Sequence, residues 1–424
     1  LAMGQELDDS ELVSVTCFWK ARCHRQKAEY DRALADTMTA RTLALQLGYE
    51  RVAAVMQVLE SWLVFQKGRL KESARILSEA EHVLKSTDDH VTLGNIQSGY
   101  GRIARREGRY DLAIRHFARA IEEYRQRDPR HRNLARSLVN MAYAKRLIAL
   151  QLRRKIDAEV MRRRDAAARD RSGPVRPPDR EALEHLRRET LAHLREASEI
   201  YRHLHHHRGI GSVHINTAYL YLDNDELDHA FEEAARAFAL GTERKDYILM
   251  ARSRVIQCLA ENAKCEEGIE DHEDPSHHAQ LAQEFAREAA EYARHTQNRR
   301  LQARALLCQG LTLSNEYFHN PEAARQSCDQ ATALLRSDTR DYLWEELQTL
   351  RSRILRAGSV DATLRAWSQG EVGDKTFQQI TEEFAELVIP KVWEAEGRKV
   401  SRVAERLSIS PKKVRRILSH VGLR

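Results

Sequence analysis

The residues that interrupt helices are scarce in this chain: 8 prolines and 18 glycines among 424 residues. That leaves too few turns for a fold of many short strands and favours long helices. No apolar run approaches the roughly 20 residues that span a bilayer, and no charged-then-apolar signal segment opens the chain. The expectation is a soluble, cytoplasmic protein with no membrane role. The cysteines at 17, 23, 258, 265, 308 and 328 form no CxxC pair, which is the usage of reduced structural thiols. Catalytic signatures are missing too: there is no GxxxxGK(S/T) loop, no strand-anchored GxGxxG and no HExxH, and a helical chain offers no sheet for a nucleophile elbow. No catalytic residue, cofactor or metal is therefore expected, and the chain is not read as an enzyme. It also lacks an initiator methionine: Leu1-Ala2-Met3-Gly4 reads as a cloning scar or as the cut edge of a longer protein with a further N-terminal domain.

What is present is 42% hydrophobic and 31% charged residues, the balance of helices that each bury one face. A pattern repeats along them. Its clearest unit is Tyr100-Gly101, then Gly108-Arg109-Tyr110, Ala113, Phe117 and Ala120. Gly68-Arg69-Leu70 with Ser73, Leu77 and Ala80 repeats it, as do Ala218, Tyr221, Leu227, Ala230, Ala234 and Ala237. Weaker copies are Tyr30, Ala33 and Ala40, and Gly310, Ala324, Cys328 and Ala331. Small residues at these spacings let antiparallel helices pack closely while aromatics fill the gap to the next pair. Residues 11–357 thereby resemble a tetratricopeptide repeat array, which implies an all-α solenoid of helical hairpins with a surface for a protein or peptide. The spacing from Ala33 to Ser73 to Ala113 is 40 residues, where about 34 is usual for this repeat and about 40–47 for HEAT-like pairs. A HEAT-like array therefore stands beside a longer-helix tetratricopeptide one, with the Gly-x-aromatic break favouring the latter.

Two stretches break the period. From Asn133 to about Asp170 nothing stops a helix, roughly 57 Å of it. A turn at Ser172-Gly173-Pro174-Val175-Arg176-Pro177-Pro178 follows, and a second helix returns from Asp179 to about His207, giving an extended hairpin over 133–207 that projects from the solenoid. From Lys145 to Arg180 it carries twelve Lys/Arg against five acids. One reading is a solvated face; the other is a contact for nucleic acid or an acidic partner through Arg153, Arg154, Lys155, Arg162, Arg163 and Arg164. The second break, Glu266 to Pro275, reads as an acidic solvated loop. The last repeat ends near Arg336. Residues 341–357, with Tyr342, Leu343, Trp344, Leu347, Leu350, Ile354 and Leu355, read as an amphipathic cap closed by Gly358-Ser359, and 358–376 as a linker.

The net charge of +6 is uneven. From Gly397 to Arg424 nine Lys/Arg face one acid, Glu405, so the rest of the chain is slightly negative. Concentrated positive charge at one end is the footprint of a nucleic-acid contact. Ahead of it, Phe377 to Glu396 is helical by periodicity, with Phe377, Ile380, Phe384, Leu387, Val388 and Trp393 on one face and Pro390 expected to kink or split it. Ala404 then sits where two short helices cross, Ser408 at the turn between them, and Val414, Ile417 and Leu418 on the packed side of the second. Ser410 suits an N-cap and Pro411 the first helical turn. Residues 377–424 resemble the Fis-type helix-turn-helix, on Val403-Ala404, Leu407, Ile409-Ser410, Val414, Arg416, Leu418 and Val421-Gly422-Leu423. The resemblance implies double-stranded DNA as partner and a homodimer paired through the 377–396 helix. It places Lys412, Lys413, Arg415, Arg416 and Ser419 toward DNA, with Lys399 and Arg402 on the flanking backbone. The family's turn glycine is Ser408 here, and Arg415 and Ile417 stand where the family has an aromatic and a basic residue, so no base preference carries over.

His203, His207 and the nearby His214 place two imidazoles at metal-ligand spacing on one helix face. No carboxylate or cysteine completes the set, so a solvated helix end is the reading, and His277-His278 is weaker still. Together the sequence points to a bacterial-type DNA-binding transcriptional regulator whose solenoid takes a protein or peptide signal. The alternative is a non-enzymatic adaptor in a defence or signalling assembly, using the basic hairpin for nucleic acid.

Overall fold

The computed structural model describes residues 2–167, 179–335, 341–352, 354, 376–420 and 423, and the side chains of all of these except 161–167 and 179. Every regular element among them is a helix. The chain forms two compact units, Leu1–Arg351 and Ser352–Arg424.

The long unit opens with a short α1 (Ala2–Glu6) and continues as antiparallel pairs. These are α2 (Ser10–Gln26) with α3 (Tyr30–Gln46), α4 (Glu50–Gln66) with α5 (Leu70–Leu84), and α6 (His90–Arg106) with α7 (Tyr110–Arg127). There follow α8 (Arg132–Ala167) with α9 (Asp179–His203) and α10 (His207–Leu222) with α11 (Leu227–Arg244). The last pairs are α12 (Tyr247–Glu270) with α13 (Ser276–Arg294) and α14 (Arg299–Leu313) with α15 (Pro321–Leu334). Residues 342–352 add α16. The array is an all-α, tetratricopeptide-like solenoid.

The 40-residue period has a plain cause. First helices begin at Ser10, Glu50 and His90, second helices at Tyr30, Leu70 and Tyr110. The links between Gln26 and Tyr30 and between Gln46 and Glu50 are three residues each, so the length beyond about 34 lies in the helices, nearly one extra turn each. In those links one residue adopts a left-handed backbone: Gly48, Gly68 and Gly108, but also Ala28 (φ 60°) and Asp225 (φ 61°). Glycine takes this conformation freely, while a side chain there costs about 1 kcal/mol. The weak first copy, with Ala28, and the clear Ala218–Ala237 copy, with Asp225, both keep the turn without its glycine.

Packing follows the small residues. Gly101 faces the Phe117 ring so closely that a Cβ would stand 2.6 Å from it, and Gly94 faces Tyr124 the same way. Phe117, Tyr124, Ala113 and Ala120 are fully buried. The array also curls back on itself: Gln297 N donates to Ala28 O at 3.4 Å, and Asp31 N donates to Gln297 Oε1 at 3.1 Å. The turn of the first hairpin therefore touches the link between the sixth and seventh hairpins.

Several expectations change here. The long helix of the fourth hairpin is present, 36 residues from Arg132, but the returning helix stops at His203, not His207. His205 turns left-handed (φ 48°), and a new helix starts at His207. Its cap is His206, whose Nδ1 accepts the Gly209 N–H at 2.9 Å. The acidic stretch 266–275 is a loop only in its second half: α12 runs to Glu270, because glutamates are good helix formers and the one glycine, Gly268, is tolerated. The turn at 172–178, the end of the cap at 357 and the linker 358–376, save Thr376, lie outside the described residues. All six cysteines are free thiols, five of them buried and Cys23 exposed.

Candidate nucleic-acid interface

The C-terminal unit is built from α17 (Phe377–Ala395), α18 (Val400–Arg406) and α19 (Pro411–His420). Thr376 and Gln379 cap α17 reciprocally: Gln379 N donates to Thr376 Oγ1 at 3.3 Å and Thr376 N to Gln379 Oε1 at 2.8 Å. Such a box satisfies two of the orphaned N–H groups of a helix start. The core is Ile389, Val403, Ala404, Val414, Ile417 and Leu418, flanked by Ala385, Val392 and Trp393. Of the two outcomes expected at Pro390, the split does not occur, and the expected apolar face changes. Pro390 does not split it; the helix runs through, and the apolar contacts of Ile389, Val392 and Trp393 span the proline and offset the hydrogen bond it forgoes. The buried face is Ala385, Ile389, Val392 and Trp393, whereas Phe377 is 85% exposed and Phe384 46%.

Between α18 and α19 the chain turns at Ser408, left-handed at φ 51°, so serine reaches the geometry that glycine would adopt freely. Ile409 N closes the turn on Ala404 O at 3.0 Å. Ser410 Oγ accepts the Lys413 N–H at 3.2 Å, the N-cap expected from sequence, and Pro411 opens α19.

The basic side chains divide into two sets. Lys412, Arg415 and Ser419 are all exposed and at i, i+3, i+7 spacing share one side of α19. Neither Lys412 nor Arg415 forms an ion pair among the described residues. Arg416 does: its Nη2 meets Glu382 Oε1 of α17 at 3.1 Å, and one turn on, His420 Nε2 lies 3.5 Å from Glu386. The Arg416 side of α19 is therefore turned toward α17, and Lys413, three residues earlier, shares it and is half-buried. Lys399 caps α18 as its N-terminal residue and Arg402 lies on it, both exposed. Arg406, not singled out from sequence, is tied to Glu396 at 2.6 Å. Glu382 and Glu386, four residues apart on α17, are the signal that sequence reasoning passed over.

The basic hairpin is partly spent on its own fold. Arg153 bonds the Asp223 carbonyl and Asp225, and Arg154 lies 3.8 Å from Glu345 with its guanidinium over the Tyr342 ring. Lys155 is exposed. The side chains of Arg162, Arg163 and Arg164 lie outside the described residues. The histidines do not gather either: His203 ends one helix and His207 begins the next, His207 meets Arg244, and His214 meets Glu233 at 2.6 Å. No cluster of metal-ligating side chains occurs among the described residues.

Among solved structures, the chain is similar to NprR in complex with its cognate peptide NprX at 12% identity, covering 90% of this chain and 98% of that one, with a TM-score of 0.45. The apo form of the quorum sensor NprR from B. thuringiensis gives 12%, 95%, 99% and 0.44. A monomeric mutant of IFIT1 with Gppp-AAAA gives 13%, 82%, 63% and 0.46. At these scores the likenesses add nothing to what the helices themselves show. No curated protein matches. The family model of the tetratricopeptide repeat matches residues 92–149, which are α6, α7 and the first half of α8, the hairpin where the repeat pattern is clearest.

Proposed function

We propose that this protein is a DNA-binding transcriptional regulator whose C-terminal unit contacts duplex DNA through α19 and whose repeat array receives a protein or peptide signal. The observation that carries the reading is the free face of α19: Lys412, Arg415 and Ser419 exposed in register, on a helix whose opposite side is locked into a three-helix core. A helix so held presents its N-terminal residues to base edges and phosphates. Lys399 and Arg402 supply flanking phosphate contacts, Lys413 and Ser410 lie at the helix start, and Arg416 joins once released from Glu382. Phe377 and Phe384, exposed and seven residues apart on α17, favour pairing of two such units, which raises affinity through effective concentration.

The test is titration of the full chain against duplex DNA at several salt concentrations, beside Lys412→Glu/Lys413→Glu/Arg415→Glu. The native chain is expected to bind with an affinity that falls steeply with salt, and the triple variant to lose at least about 100-fold. Equal binding by the two sinks the reading. In that event Arg153→Glu/Arg154→Glu is the next variant, and loss there supports the adaptor alternative.

A further inference from the structure

A second cationic surface lies inside the long unit, and no part of the DNA reading uses it. A cavity of about 390 Å³ is lined by Arg102, Arg105 and Arg106 of α6, Arg146 of α8 and Arg252 of α12. Arg300 and Arg304 of α14 complete it, with Asp341 as the acidic residue in its wall. A neighbouring lobe of about 280 Å³ shares Arg102 and adds Arg22, Arg25, Arg132 and Arg136, with no carboxylate among the described residues of its lining. All of these arginines come from the first helices of their hairpins, the helices that face inward.

The protein neutralises only part of this charge. Asp341 serves both Arg300 and Arg106, Asp223 holds Arg146, and Glu346 holds Arg304. The other seven form no ion pair among the described residues. Arg102 reaches only Ser98 Oγ, at 3.2 Å, and Arg105 reaches Asn140 Oδ1 at 3.0 Å. Arg136 donates to Asn95 Oδ1 at 3.1 Å, while its Nε is buried without a partner. Aromatic rings stiffen the array: Arg105 lies 4.7 Å over Tyr143, Arg106 4.5 Å over Phe65 and Arg25 5.3 Å over Trp62. Burial first, and then neighbouring guanidiniums, push Arg102 down to about 9 and Arg25 to about 10, with Arg106 also well below its ordinary value. In Arg146, Asp223 more than offsets the same burial and the direction reverses. These groups stay protonated at neutral pH, so the free protein holds partly buried positive charge that its own carboxylates compensate only in part, an arrangement that costs stability.

We propose that this two-lobed cavity is a binding site for a compact phosphorylated ligand carrying more than one phosphoryl group, of the size of a nucleoside polyphosphate. The inference goes beyond the DNA contact proposed above and does not depend on it. Phosphoryl groups fit because each brings up to two charges and three acceptor oxygens, matched to the planar fork of arginine. Seven unpaired guanidiniums in so small a space call for charge that dense; carboxylates strung along a peptide would not supply it.

The full chain is titrated by calorimetry, with thermal unfolding in parallel, against sodium tripolyphosphate and ATP. A single-stranded oligonucleotide and a poly-glutamate peptide are the comparison probes. Tripolyphosphate or ATP is expected to bind one-to-one and to raise Tm, since a ligand bound only by the folded state stabilises it. Arg102→Gln should weaken that binding at least about tenfold and leave the ligand-free Tm unchanged or higher, the opposite of what a structural arginine would do. Arg252→Gln, which breaks no ion pair among the described residues, repeats the test should the first variant fold poorly. ATP binding more tightly than tripolyphosphate assigns a nucleotide, and equal affinities assign the bare polyphosphate chain; both support the site. No binding of either probe at about 1 mM, binding that survives both variants, or binding lost through Lys412→Glu instead, overturns it. So does binding by the oligonucleotide or the peptide alone.

Discussion

In the cavity of the long unit most of the arginines are at least half-buried and several stack on rings. In the C-terminal unit, Lys412 and Arg415 stand in solvent on a ten-residue helix. The same charge behaves differently in the two places. At about 4 Å an ion pair gains about 1 kcal/mol in water and about 4 kcal/mol where the surroundings screen less, and salt damps exposed charges beyond about 8 Å at physiological strength. The helix is thus suited to a long polyanion, bound through counterion release and strongly salt-dependent. The enclosed arginines are suited to one small anion, bound by fit and less sensitive to salt.

The strongest way to break that comparison is to collapse one side of it. Phe117 is fully buried against Gly101 in the hairpin that carries Arg102, Arg105 and Arg106. Phe117→Ala is expected to cost about 3–5 kcal/mol, read by chemical denaturation, and to abolish tripolyphosphate binding while DNA affinity persists. Loss of both together would mean that the units do not act separately. Next in size is the reversal of Lys412, Lys413 and Arg415: DNA binding falls at least about 100-fold, whereas calorimetry with tripolyphosphate gives an unchanged affinity.

A third test sharpens the contrast through pH. His131 Nδ1 accepts the Asn133 N–H at 3.3 Å and its ring stacks on Tyr124, with centroids 5.5 Å apart. His206 does the same with Gly209, stacked on Tyr201 at 5.2 Å. Burial first, and then Arg132 among their charged neighbours, holds both below the ordinary value of 6.5. The unfolded chain therefore takes up these protons first as pH falls through about 6.5, and the folded state loses stability from there downward. A Tm series from about pH 7.5 to about pH 5 should fall for the long unit. His206→Asn, which keeps a capping acceptor but does not titrate, should flatten the drop.

How much of this was legible in sequence depends on whether the signal was local. Helix, pair and period could be read because small residues such as Ala33, Ser73 and Ala113 recur on one face. Ser408, Ser410 and Pro411 could be read because turn and cap chemistry acts within four residues. The end of α9 was misplaced because His203 to His207 contains neither glycine nor proline, and His205 takes the left-handed turn at its own cost. Phe377 and Phe384 were placed in the core because periodicity gives a face without saying which of two apolar stripes is covered. The inner cavity was illegible for a different reason. Arg22, Arg102 and Arg304 are scattered over nearly 300 residues and look like ordinary solvated helix faces until the array curls.

The smallest expected effect separates the two units by how much stability each can lose. Ser410 Oγ accepts the Lys413 N–H at 3.2 Å, and Asp89 Oδ1 accepts the Thr92 N–H at 2.9 Å at the start of α6. Each cap contributes about 1 kcal/mol. In the long unit α6 is fixed by Gly94, Gly99 and Gly101 packed under Tyr124, Leu77 and Phe117, so Asp89→Ala should shift Tm slightly and leave every binding measurement alone. The C-terminal unit has a core of six buried side chains, and small cores leave little margin. Ser410→Ala should therefore fray α19, speed amide exchange at Lys412 and Lys413, and weaken DNA binding a few-fold although no charge is removed. If exchange at those amides is unchanged, α19 is held by Val414, Ile417 and Leu418 alone, and its free face is as rigid a platform as any helix of the array.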